Sequence, residues 1–223
     1  MKYNLFLQAV SKFLLGTVFV AVLIFLPAGT LDFPNGWLFM GLLFIPMFIA
    51  GIIMLQKNPE LLRKRLAAKE TQKEQRTLMK LSGLVFVLGF ATAGLHFRFG
   101  WHPLPKGISI GAAGIFLLSY GIYGEVLREN TYLSRTIEVQ ENQTVIDTGL
   151  YGIVRHPMYT AVIFLFLSIP LILGSIYSFI LFLTIPVILA KRIIHEEQFL
   201  EQELHGYSDY KRKVKYRLIP FVW

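Results

Sequence analysis

The feature that most limits the fold is a run of 33 residues, Met158 to Ala190, with no Lys, Arg, Asp or Glu. As one helix rising about 1.5 Å per residue it would measure roughly 50 Å, against a hydrocarbon core of about 30 Å. Pro170, Gly174 and Ser175 fall near its middle, where they can break a helix and turn the chain. The run therefore predicts a tight helical hairpin with two arms of about 25 Å each, which just span the core or stop slightly short of it. Four more uncharged runs precede it: Phe13 to Leu31, Gly36 to Leu55, Leu81 to Phe97 and Gly107 to Gly124. Only 16% of the 223 residues are charged, where a soluble domain carries about 25%. The expectation is an all-α, polytopic membrane protein with five to six transmembrane helices and a C-terminal helical hairpin.

The Lys and Arg residues test that count. With six spans and the N-terminus inside, 20 of the 22 fall on one side, leaving Arg98 and Lys106 on the other. This is the asymmetry of the positive-inside rule, and five spans would put the basic C-terminal tail on the wrong side. Both termini are thus expected in the cytoplasm, in the cell membrane by default or the endoplasmic reticulum of a eukaryote. The net charge of +8 reads as an address and an attraction to anionic headgroups. Nucleic acid is disfavoured as a partner, because the basic residues flank membrane segments and form no base-reading module. The absence of cysteine excludes disulfides, thiolate metal sites and cysteine nucleophiles, and no metal is expected. The first apolar run is too long for a signal peptide and reads as a membrane helix.

One membrane domain, 1–223, accounts for the chain, with N-terminal helices over 1–129 and a polar, site-bearing region over 130–223. Gln56 to Lys80 reads as a charged helical connector. Glu125 to Arg155 is polar, and Thr144, Val145 and Ile146 within it are expected as a short strand before a turn at Asp147-Thr148-Gly149. The tail reads as helix to about His205, and Tyr207, Tyr210, Tyr216 and Trp223 among basic residues read as interfacial anchors. Gly111-Ala-Ala-Gly114 inside a span suggests close helix packing.

Two polar groups border the hairpin. Gly149 to Tyr159, with Arg155, His156 and Pro157, leads in, and Lys191 to Glu197 leads out. The hairpin returns the second group to the side of the first. Arg192 and Glu196, four apart, share a helical face. A charge at mid-bilayer costs about 2.5–3.5 kcal/mol, less near the surface, so this concentration of charge invites a functional reading. Alone, each residue has a plainer one: the arginines snorkel, and His156 caps the incoming helix. His195-Glu196-Glu197-Gln198-Phe199 has Phe where a zinc metalloprotease helix needs its second His.

The segment from Asn130 to Pro220 resembles the isoprenylcysteine carboxyl methyltransferase family and related membrane phospholipid methyltransferases. The resemblance rests on Val139-Gln140, Thr148-Gly149, Tyr151, Arg155-His156-Pro157, Tyr159, Glu196-Glu197, Gly206, Tyr210 and Arg217-Leu218-Ile219-Pro220. It implies a methyltransferase that uses S-adenosylmethionine, held in a cytoplasmic cofactor-binding region. Carried over, the cofactor contacts would be Gln140, Gln143, Thr144, Val145, Ile146, Tyr151, His156, Pro157, Met158, Tyr159 and Glu197 with Glu196. Arg192 would handle an acceptor carboxylate, and Glu196 joins it as a catalytic candidate. The sequence departs from the family with Gln143 where His is common, Leu150 where Pro is frequent and Ala161 in place of Gly.

Methyl transfer from a sulfonium is an in-line displacement, so alignment of donor and acceptor and exclusion of water supply most of the rate. A hairpin at the bilayer gives a lipophilic methyl acceptor lateral access, while a water-soluble donor enters from the basic side. An isoprenylcysteine-type carboxylate, a phospholipid amine and a small thiol all fit this chemistry. An amine acceptor would need a base, for which His156 or a glutamate is placed. The competing readings are an NADPH-dependent membrane reductase related to steroid and sterol reductases, and a non-catalytic lipid-binding protein. No oligomeric state is implied.

Overall fold

The computed structural model describes residues 2–67, 73–102, 104–130, 132–133 and 139–223; Lys69 and Arg135, counted among the basic residues above, lie outside them. The described chain is helical: α1 (Lys2–Ala28), α2 (Pro34–Lys57), α3 (Pro59–Ala67), α4 (Lys73–Phe99), α5 (Lys106–Glu129), α6 (Pro157–Ile172), α7 (Ile176–Phe182), α8 (Thr184–Glu203) and α9 (Tyr207–Lys213), with a 3₁₀ turn at Gly149–Gly152. Prolines at the first helical position start α2, α3 and α6, where a missing N–H costs nothing. Asn58 ends α2 and caps α3, its Oδ1 accepting from the Leu61 amide at 3.1 Å.

Among the described residues, five helical segments are long and apolar enough to cross a membrane: Asn4–Ala28, Pro34–Lys57, Gln75–Phe99, Lys106–Glu129 and the continuous α7–α8 segment Ile176–Glu203. Leu15, Leu26, Ile45, Ile110, Leu118 and Val187 are more than half exposed. A lipid-facing surface of this kind completes the picture of a polytopic all-α membrane protein.

The hairpin is present but uneven. α6 has 16 residues, about 24 Å, whereas the returning arm runs 28 residues. The second arm continues beyond the apolar run, as expected of a tail helical to about His205, because Lys191 to Glu203 is rich in strong helix formers. The turn is a Schellman motif: Gly174 (φ +77°) follows Leu173, the C-cap of α6, its amide donating to Leu171 O at 3.1 Å and the Ser175 amide to Pro170 O at 2.9 Å. Ser175 Oγ then caps α7 by accepting from the Ser178 amide. Pro186 has no N–H for the Phe182 carbonyl, which explains the break between α7 and α8 at Leu183.

α5 packs along α6, α1 along α4, and α4 lies also against α7 and α8. Phe39, Phe90, Phe116 and Phe182 form the centre of the bundle, with Phe39 and Phe90 ring centroids 5.6 Å apart. Polar braces hold the hairpin tip. Ser109 Oγ donates to Leu171 O at 3.0 Å, Ser178 Oγ to Gly89 O at 2.8 Å, and His96 Nδ1 lies 2.9 Å from Ser175 Oγ.

Two expectations are corrected. Thr144, Val145 and Ile146 run as irregular backbone, and no strand occurs among the described residues. Val145 packs against the cluster of Leu204, Tyr207, Tyr210 and Val214, side chains of α9 and its flanks, which offer no extended partner for a ladder. In α5 the alanines do the packing and the glycines do not: Ala112 is buried, while a Cβ at Gly111 or Gly114 would meet nothing within 4 Å.

The close helix contact lies elsewhere, at Gly94, where a Cβ would fall 2.5 Å from Ile24 O and 2.9 Å from the Ala28 amide nitrogen. Gly94→Ala is therefore expected to push α1 off α4 and lower the thermal unfolding midpoint in detergent, while Gly111→Ala leaves it unchanged or raises it. Equal midpoints for the two variants would contradict this packing.

Candidate functional site

The loop entering the hairpin is shaped by Gly149, whose positive φ (+51°) favours glycine. A Cβ there would also fall 2.3 Å from Glu129 Oε1. Thr148 Oγ1 donates to the same carboxylate at 2.9 Å. The 3₁₀ turn that follows buries Tyr151, whose hydroxyl accepts from Asn130 Nδ2 at 3.0 Å and whose carbonyl accepts from Tyr210 Oη at 2.8 Å. Two consecutive backbone bonds then tie the loop to the C-terminal tail: the Arg155 amide to Tyr216 O and the His156 amide to Arg217 O, both 2.9 Å.

His156 sits at the N-cap position of α6, but its side chain does not cap the helix. It turns to Glu197, which is 2% exposed. Glu197 Oε1 accepts from Arg155 Nε at 2.7 Å and lies 3.2 Å from His156 Nε2, while Oε2 accepts from Arg217 Nε at 2.9 Å. Arg155 Nη1 donates to Val214 O and Lys215 O at 2.7 and 2.8 Å. Five donated bonds thus join α8, the loop and the tail through one buried ion pair.

Beside it lies a second polar relay. Arg192 Nε donates to Tyr159 Oη at 2.9 Å, and Tyr159 Oη donates to Glu196 Oε2 at 2.6 Å. The i, i+4 spacing of Arg192 and Glu196 points both at the one phenol on α6.

These groups border a cavity of about 110 Å³, several times the roughly 10–15 Å³ that one water requires. Its wall takes Gln143, Thr144, Val145 and Ile146 from the linker, Tyr151, Arg155 and His156 from the loop, and Met158 and Tyr159 from α6. Arg192, Glu196, Leu200, Leu204, Tyr207 and Tyr210 close the other side, with Asn130, Tyr132 and Leu133 beyond α5.

Of the residues singled out in the sequence, three are not on the wall. Gln140 stands behind it: its amide donates to Gln143 Oε1 at 2.9 Å and its Nε2 to Tyr132 O at 2.6 Å, which positions Gln143. Pro157 is buried in the first turn of α6, and Glu197 is enclosed by its ion pairs. The wall also contains residues that sequence reasoning placed elsewhere. Tyr207 and Tyr210, expected as interfacial anchors, are 4% and 6% exposed and belong to a small core with Leu204 and Val214. The signal for this was their spacing after Gly206, whose αL conformation turns α8 into α9 and folds the two rings inward.

Burial pushes Tyr151 up to about 12. It also raises Tyr207 and Tyr210, with the Glu197 charge adding to the shift at Tyr207 and the neighbouring Tyr151 adding to it at Tyr210. All three stay protonated and act as neutral O–H groups. Tyr207 Oη is buried with no hydrogen-bond partner among the described residues, a state that costs about 1–3 kcal/mol until something accepts from it. An orphaned donor on a wall that also carries an acid and two arginines suits a polar, partly charged small molecule.

Residues 105–206 match the model of the phospholipid methyltransferase family. The match covers α5, the linker, the hairpin and α8, and stops at Gly206 before α9 and the tail. The chain is also similar to a delta(14)-sterol reductase of Mus musculus, 26% identical over 140 residues that cover 55% of this chain and 33% of the relative. The chain thus spans about a third of the length of that relative.

Two outcomes follow from the site's electrostatics. Glu197→Ala leaves Arg155 buried without its counter-charge and is expected to lower stability by about 3–5 kcal/mol; an unchanged unfolding midpoint would refute the ion pair's structural role. The raised phenol of Tyr151 favours the folded state below the unfolded value of about 10, and that contribution is lost as pH rises from about 10 through about 12. Tyr151→Phe is therefore expected to lose less stability than wild type over this window in thermal melts.

Proposed function

We propose that the chain is an integral membrane methyltransferase that transfers the methyl group of S-adenosylmethionine to a lipophilic acceptor, with an isoprenylcysteine-type carboxylate as the leading candidate. The observation that carries this reading is the convergence of the linker, the Arg155-His156-Pro157 loop and the Arg192–Tyr159–Glu196 relay on one cavity at the basic end of the bundle. The family match over the same segment supports it.

When bound, the donor supplies an electrophilic sulfonium methyl. Tyr159 ties Arg192 and Glu196 together, so that a cation and a carboxylate are presented at fixed positions. Arg192 orients an acceptor carboxylate, which needs no base; an amine acceptor would leave its proton on Glu196. The apolar wall formed by Met158, Leu200 and Leu204 excludes water from the reacting centre. Residues 130–223 form the site-bearing part of a single membrane domain. The basic end, with both termini, faces the cytoplasm, where the water-soluble donor is available.

The similarity to a sterol reductase favours one competing reading, a membrane reductase that binds NADPH. Calorimetry on the detergent-purified protein separates the two. Saturable binding of S-adenosylmethionine with none of NADPH is expected. Binding of NADPH alone would sink the methyltransferase reading, and binding of neither would favour a non-catalytic lipid-binding protein.

A further inference from the structure

The cavity has two unequal poles. Glu196 Oε2 accepts from Tyr159, and its other oxygen makes no hydrogen bond among the described residues. Arg155 directs Nε to Glu197 and Nη1 to two tail carbonyls, while its Nη2 has no hydrogen-bond partner among the described residues. Tyr207 stands on the same wall with its buried hydroxyl unpartnered. One pole can accept from a cation, and the other offers a charged N–H and a neutral O–H to an anion.

We infer that Arg155 and Tyr207 seat the carboxylate of an amino-acid zwitterion whose ammonium faces Glu196, so that the amino-acid end of the methyl donor lies across the cavity between them. This rests on the donor assignment above. Three features support the orientation. A guanidinium N–H and a phenol together suit a carboxylate, which only accepts. Beyond burial, the charges of Glu197, Glu196 and Arg155, in that order, act on the Tyr207 hydroxyl, so the phenol stands in one electrostatic neighbourhood with the arginine and with the carboxylate that would face the ammonium. A zwitterion adds no net charge to a site where Glu197 is already matched by Arg155 and Arg217. Tyr207 is thereby a specificity-determining residue for the donor: its hydroxyl gains a partner when a carboxylate is present and gains none when it is absent.

Tyr207→Phe removes the hydroxyl and nothing else, and because that hydroxyl has no partner among the described residues the variant is expected to melt no lower than wild type. The test is calorimetric binding to wild type and variant of S-adenosylhomocysteine and of S-adenosyl-3-thiopropylamine, which keeps the amine and lacks the carboxylate. The variant is expected to bind S-adenosylhomocysteine about 10-fold or more weakly, and to bind the decarboxylated ligand as wild type does. Equal weakening of both ligands would put the hydroxyl against the nucleoside or the amine and overturn the inference, and so would unchanged binding of S-adenosylhomocysteine. If wild type binds neither ligand, the donor assignment itself falls, an outcome distinct from failure of the Tyr207 arm.

Discussion

The carboxylate of Glu197 is the point on which the functional half of the molecule depends. It reaches Arg155 and His156 in the loop before α6 and Arg217 in the tail, from a position on α8 that is 2% exposed. Burying two or three charges is costly, and the cost is offset only when every lone pair and proton finds a partner. Most of that requirement is supplied by segments far apart in sequence: Arg155 takes the carbonyls of Val214 and Lys215 as well as Glu197. The loop, the returning arm of the hairpin and the tail are therefore ordered together or not at all.

From that arrangement the cavity follows. With Glu197 turned inward, the preceding residue Glu196 faces the adjacent side of α8 and meets Tyr159, and Arg192 one turn earlier joins it. With the tail held against the loop, α9 brings Tyr207 and Tyr210 over the cavity, and Val145 of the linker packs against them. The uneven hairpin matters here. α6 is short, so its polar start lies at the edge of the apolar layer, while α8 continues beyond that layer and carries its charged residues to the same height.

The sequence by itself determined the class of the protein. Uncharged runs of membrane length have few alternatives, because a backbone in lipid must satisfy its own hydrogen bonds. The hairpin was legible from Pro170 and Gly174, and the shared face of Arg192 and Glu196 from helical periodicity. The loop, the start of α6 and the paired glutamates were found because charge beside hydrocarbon is conspicuous. The linker strand was misread, since β-branched residues signal an extended backbone without saying whether a partner strand exists.

Only the tertiary structure decided what each polar residue does. Two adjacent glutamates look alike in a sequence, yet one is sealed inside an ion pair and the other faces the cavity, because neighbours on a helix point about 100° apart. Tyr207 and Tyr210 could not be told from interfacial anchors, since an amphipathic ring suits a membrane surface and a pocket wall equally well. The left-handed turn at Gly206 and the docking of the tail, which together bury them, depend on contacts between residues some 60 positions apart. Local pattern carries no record of such contacts, because they form only once the chain has folded back on itself.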